Sequence, residues 1–174
     1  MKLYTFQRPL LNDSTKEISI FDEHGVLVGH VSRYFESKGS YLANWITSIV
    51  NVKARDLQSK VTIDIVDQGF WKTLLRAKWN ISYTNQKSIQ TELIDKSKIK
   101  TNRRMHYTIE GRNVIVSKDI GDRVIRFKSS EGTLLAEGTF DKLIPPSTET
   151  IKIYDDHIHF CEIIAIYFLF QLQV

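Results

Sequence analysis

Cys161 is the single cysteine among 174 residues. An internal disulfide framework is therefore excluded, and the thiol's place inside an apolar tail points to a buried cysteine in a reducing compartment. The paired-cysteine spacing of structural zinc is missing as well. Three prolines and eight glycines form no hinge, linker or low-complexity run, so one domain spanning residues 1–174 is expected. The first residues, Met1-Lys-Leu-Tyr-Thr-Phe-Gln-Arg8, lack the basic-then-apolar order of a signal peptide. Secretion is not expected, and a cytoplasmic location is. There is no Gly-x-Ser-x-Gly elbow, no phosphate-cradling glycine loop and no His-Glu-x-x-His run. The expectation is a protein that is not an enzyme and needs no cofactor.

Hydrophobic residues make up 42% and charged residues 25% of the chain, which argues against disorder. A chain of this length buries roughly 70% of its unfolded surface and can fold without metal or disulfide. The net charge of +4 and pI near 9.1 give a mild attraction to anionic partners.

The strongest pattern is at the end of the chain. Ile163 to Phe170 reads Ile-Ile-Ala-Ile-Tyr-Phe-Leu-Phe. At 100° per residue, this run covers every side of a helix, which must then be buried all round. A transmembrane helix needs about 20 apolar residues, whereas Glu162, Gln171 and Gln173 interrupt a shorter run here. A helix over about 156–172, capped by Asp155 or Asp156, is expected. Its length of roughly 26 Å at 1.5 Å per residue matches a barrel of strands seven or eight residues long.

The body of the chain supplies the strands. Ile18–Phe21 and Val26–Val31 flank the turn Asp22-Glu-His-Gly25, and Val124–Phe127 and Thr133–Gly138 flank Ser129-Ser-Glu-Gly132. The two hairpins share one turn grammar, which fits either two related halves or ordinary turn chemistry. Lys60–Val66, Trp79–Tyr83, Met105–Glu110, Asn113–Lys118 and Ile151–Ile153 add further alternating strands. Tyr41, Leu42, Trp45, Ile46, Ile49 and Val50 recur at helical spacing, and Phe70, Trp71, Leu74 and Leu75 fit a single turn. The fold class read from these elements is mainly β: a closed antiparallel β-barrel wrapped around a buried hydrophobic C-terminal helix.

That arrangement resembles the tubby C-terminal-like fold, shared with phospholipid scramblases and plant LURP-one-related proteins and, more closely, with small tubby-like proteins of bacilli. The residues that carry the resemblance are Ile20-Phe-Asp-Glu-His-Gly-Val-Leu-Val-Gly29, Lys98-Ile-Lys-Thr-Asn-Arg-Arg104 and Asp119-Ile-Gly-Asp122. Leu135-Ala-Glu137 and Lys142-Leu-Ile-Pro-Pro146 with its following helix complete the set. It covers the chain from about residue 16 onward. The resemblance implies a phosphoinositide-binding or phospholipid-directed module. The ligand residues of neither group can be placed on this sequence position by position, so none is carried over.

The basic stretch Lys96, Lys98, Lys100, Arg103 and Arg104 is the candidate anion- or lipid-binding site. Phosphate head groups attract such cations at about 1 kcal/mol each near an anionic surface. The competing explanation is a solvated loop or a strand edge protected by lysines. Nucleic acid is not expected, because aromatic residues do not interleave the cluster. In His157-Ile-His159-Phe-Cys161-Glu162, helical geometry turns successive candidate ligands away from one another. Asp155, Asp156 and His159 are the remaining group able to meet at a helix mouth. Glu162, an acid at the start of an apolar helix, should pair with an Arg or Lys at the barrel rim. The expected function is a non-catalytic module, peripheral to the membrane, that meets anionic phospholipid or another anionic surface. The alternative is a protein-interaction or scaffold domain without lipid contact.

Overall fold

The computed structural model describes residues 1–35, 49–69, 76–85, 88–97, 102–144 and 146–173. Twelve strands follow one another: β1 Lys2–Arg8, β2 Ile18–Asp22, β3 Leu27–Tyr34, β4 Asn51–Asp56, β5 Thr62–Asp67 and β6 Lys78–Thr84. After them come β7 Ser88–Asp95, β8 Arg104–Ile109, β9 Arg112–Ser117, β10 Val124–Ser129, β11 Leu134–Phe140 and β12 Ser147–Ile153, then the helix α1, Phe160–Leu172. Each strand pairs antiparallel with its neighbours in sequence. β1 closes the barrel by pairing with both β12 and β2.

Alternation sets the wall. Ile63 and Ile65 of β5, Trp79 and Ile81 of β6, and Val114 and Val116 of β9 are buried inside. Asp64 and Ile115, between them, and Ser82, after Ile81, point outward and are only partly buried. Lys53, His106, Arg126 and Lys152 stand at outward positions too. An apolar interior and a polar exterior are the reverse of a lipid-facing transmembrane barrel. No described helix is long and apolar enough to cross a membrane.

The helix fills the interior. Every residue from Phe160 to Gln171 is buried, as an all-round apolar helix requires. It starts four residues later than the expected 156, and its cap is His159 rather than Asp155 or Asp156. The reason is geometric, because the chain must first cross from the barrel wall to the axis. Asp155 instead organises that crossing, its side chain accepting the His157 N–H at 2.9 Å and its carbonyl the Ile158 N–H at 3.2 Å.

One wall position is a glycine because the helix comes close. At Gly138 in β11 a Cβ atom would fall well inside van der Waals distance of the Tyr167 ring and of Ile151. Tyr167 cannot retreat, since its hydroxyl is bonded to Glu149 and Gln171. Gly138→Ala is expected to cost about 1–3 kcal/mol, which lowers the melting temperature by roughly 2–12 °C in a domain of this size. An unchanged melting temperature would show that the ring has room to move.

β1, β4 and β7 carry weak patterns and are not expected from sequence. In β1 only Phe6 is fully buried, and in β7 only Leu93. The two matched hairpins have the same turn. Gly25 N–H bonds Asp22 O and Gly132 N–H bonds Ser129 O, both at 3.0 Å, and each glycine adopts positive φ. Both ladders shift register beside the turn. The hairpins are β2–β3 and β10–β11, eight strands apart, whereas two equal halves of twelve strands would place them six apart. Shared turn chemistry accounts for the likeness. Of the expected helix over residues 41–50, only Ile49 and Val50 are described, and they belong to no helix. The expected turn at 70–75 lies outside the described residues.

Candidate functional site

Antiparallel order sends alternate connections to opposite ends of the barrel. The end where α1 enters has short turns, from two residues at 110–111 to five at 57–61. The end where α1 exits has the long connections 9–17, 35–50, 68–77, 96–103, 118–123 and 141–146. Long connections on a rigid wall are where binding residues concentrate.

Charge divides the same way. Among the described residues, the entry-end connections hold Glu23, Glu110, Glu131, Asp155 and Asp156 against Lys60. Those at the exit end hold Lys16, Arg76, Lys96, Arg103, Lys118, Arg123 and Lys142 against Asp13, Glu17, Asp119, Asp122 and Asp141. Three of those carboxylates are tied to strand arginines: Glu17 to Arg55 at 2.8 Å, Asp119 to Arg104 at 2.6 Å and Asp122 to Arg126 at 2.5 Å. Bonds from Arg104 and from Arg126 hold the Asp119 and Asp122 carboxyls below their ordinary range.

The described members of the basic stretch, Lys96, Arg103 and Arg104, lie at this exit end, but they do different things. Lys96 is exposed and forms no ion pair among the described residues. It lines a groove of about 460 Å3 where β7 and β8, paired only over Leu93–Asp95, come apart. His106 lies in the same groove, and burial and then Lys96 push its pKa down. Arg103 turns inward. Its side chain is 14% exposed, lies 3.8 Å from Asp95 and covers the Phe170 ring at 5.8 Å. Arg104, next in the chain, turns outward to Asp119. Lys98 and Lys100 lie outside the described residues.

Arg103 shares its work with a residue that no motif or pattern in the sequence singles out. The last turn of α1 has no basic side chain, although cations are favourable at a helix C-terminus. The barrel wall supplies them. Arg8 of β1 donates to the Gln171 side chain at 3.2 Å and to its carbonyl at 3.4 Å. Beside it, Ser147 donates to Glu149 at 2.6 Å and Tyr167 to Glu149 at 2.5 Å. Burial raises the pKa of Glu149 against these bonds. The signal for Glu149 was available, since it stands in phase with the inward-facing Ile151 and Ile153 of β12.

At the entry end two polar clusters hold the start of the helix. Glu162 is 2% exposed, with Tyr107 donating at 2.7 Å and Arg112 at 3.0 and 3.1 Å. The expected partner for this acid is therefore Arg112. Burial still lifts its pKa above the ordinary value.

The second cluster joins Asp56 and Ser59, neighbours at the end of β4, to His159, which lies 103 and 100 residues further along the chain. Ser59 Oγ donates to Asp56 Oδ2 at 2.5 Å, His159 Nε2 lies 3.1 Å from the same oxygen, and Ser59 Oγ lies 3.3 Å from Nε2. A nucleophilic triad needs one ring nitrogen for serine and the other for the acid. Here Nδ1 accepts the Cys161 N–H at 3.2 Å, so the neutral ring carries its proton on Nε2, toward Asp56. No ring nitrogen remains to take a serine proton, and the cluster acts as a helix cap. Burial holds the His159 pKa below its ordinary value. Among the described residues no three of His, Cys, Asp and Glu converge on a metal-sized site.

Comparison with known proteins adds the family. The model of the Tubby C-terminal like domain matches residues 4–174, taking in the closing strand β1 that the sequence motifs left out. No curated protein matches, and no solved structure does. A match over nearly the whole chain, on a twelve-stranded barrel closed around its own C-terminal helix, places this chain in the Tubby C-terminal like domain family.

Proposed function

We propose that this tubby-like module is non-catalytic and binds anionic phospholipid surfaces through the exit end of its barrel. The supporting observation is the charge division between the two ends, with the cation excess on the long connections. Three of the carboxylates there are already neutralised by strand arginines, which leaves the exposed Lys16, Arg76, Lys96, Arg123 and Lys142 to act outward. Arg103 contributes indirectly, by holding the helix end that the connections surround.

Binding of this kind is electrostatic. It weakens as salt shortens the Debye length from about 10 Å at 0.1 M to 3 Å at 1 M. Co-sedimentation with phosphatidylserine-containing vesicles at low salt should capture the protein, and phosphatidylcholine vesicles should capture little. At about 1 kcal/mol per cation near the surface, the variant Lys96→Gln/Arg123→Gln/Lys142→Gln should bind roughly a hundredfold more weakly. Arg103 is left intact because its replacement would disturb Phe170. Equal capture of this variant and the wild type, or no capture of the wild type at low salt, would overturn the lipid reading and favour a scaffold role.

A further inference from the structure

Among the described residues, the exit end also carries the most exposed aliphatic side chains. Leu10 and Leu11 are 65% and 64% exposed, Ile120 71%, and Leu143 and Ile144 68% and 77%. Met1 apart, no other large apolar side chain among the described residues exceeds the 51% of Val26. Five such side chains at one end are a feature that solubility alone selects against.

Their positions are set by the fold. Leu10 and Leu11 lie in the β1–β2 connection, Ile120 in β9–β10, and Leu143 and Ile144 in β11–β12. The barrel order β9-β10-β11-β12-β1-β2 makes these three connections successive neighbours along one arc of the rim. Each is braced from below. Asn12 is held by Arg8 at 2.9 Å and by Arg33 at 2.8 Å, and the Leu11 carbonyl accepts the Ser14 N–H at 3.1 Å. The Asp122 N–H bonds the Asp119 carbonyl at 3.1 Å and leaves Ile120 on the bend. Asp141 accepts the Thr148 N–H at 2.8 Å. The aliphatic tips therefore stand on organised loops with their cost of ordering already met by the barrel.

We infer that the barrel docks end-on against an anionic bilayer, with Leu10, Leu11, Ile120, Leu143 and Ile144 entering the edge of the hydrocarbon. Arg123 and Lys142, on the same connections and without ion pairs among the described residues, sit at the head-group level. This inference rests on the phospholipid reading above and adds an orientation and an apolar contribution that charge alone does not supply. Charge complementarity favours the bilayer over a protein partner. The bilayer also suits the shape: the apolar groups sit on separate loop tips with basic side chains between them, and a fluid surface accommodates each tip independently.

The test places an environment-sensitive NBD label at Ile144→Cys. Cys161 is fully buried with its thiol pKa pushed up, so labelling reports position 144 alone. On phosphatidylcholine–phosphatidylserine vesicles the emission should rise and shift to the blue, and lipids brominated on the acyl chains should quench it. Leu11→Ser and Leu143→Ser should each weaken vesicle binding by roughly tenfold with an unchanged melting temperature. Salt-sensitive capture with no quenching, and Ser variants that bind like the wild type, would overturn insertion and leave the electrostatic reading standing. Absence of capture by anionic vesicles at low salt would overturn both. Concentration-dependent dimerisation that disappears in Leu143→Ser would assign the tips to a second copy of the chain and overturn the inference.

Discussion

Ile166→Lys is expected to leave the chain without a folded state. Ile166 is fully buried at the middle of α1, inside the barrel. Losing a core side chain of this kind costs about 2–5 kcal/mol, and an unpaired buried ammonium adds several kcal/mol more. Together these reach the whole stability of an ordinary domain, about 5–15 kcal/mol. Circular dichroism and thermal melting check the outcome. A soluble variant with a cooperative, wild-type-like melt would show that the helix is an appendage rather than the core.

Arg112→Met should destabilise the protein by about 3–5 kcal/mol at neutral pH, because it leaves the Glu162 carboxylate buried without its cationic partner. Burial already holds Glu162 above its ordinary pKa, with Arg112 opposing that rise. Removing Arg112 raises it further. The folded variant then binds a proton more tightly than the unfolded chain, whose carboxyl titrates near 4.3. Stability should accordingly increase as pH falls from neutral toward that value and level off below it. Urea unfolding at several pH values measures this slope. Adding Glu162→Gln should recover most of the loss at neutral pH, since a neutral amide can still accept from Tyr107. A double variant as unstable as Arg112→Met alone would show that the cost is lost packing and not a stranded charge.

The core was readable because burial imposes simple periods on a chain. Ile163 to Phe170 offer no polar face to water, so the run could only be interior. Strict alternation, as in β5 and β6, shows which side chains face that interior. Strands with little to bury gave no such sign. Lys2–Arg8 is held by its ladders to β12 and β2 and by one deeply buried side chain, Phe6, and no window of the sequence reveals a partner about 150 residues away. Glu162 was recognisable as an acid in need of a cation, but Arg112 as the donor follows only from β9 passing the helix start.

The basic stretch shows the same division at the candidate site. Composition alone marked Lys96, Lys98, Lys100, Arg103 and Arg104 as a cluster. Neighbours decided that Arg103 covers Phe170 beneath the rim while Arg104 turns out to Asp119. Leu10, Leu11, Ile120, Leu143 and Ile144 are unremarkable in the sequence, because isolated aliphatics in loops are common.

The amino-acid sequence by itself determined that the C-terminal helix is buried on every side, which strand faces look inward, and where tight turns occur. These depend on contacts within a few residues and on the cost of exposing apolar surface. Tertiary structure decided the barrel's closure, the His159 cap, the arginines that serve the helix end, and the opposite characters of the two ends. Strand parity and ring closure carry connections more than 100 residues apart in sequence to one rim, and that distance is invisible until the sheet has closed.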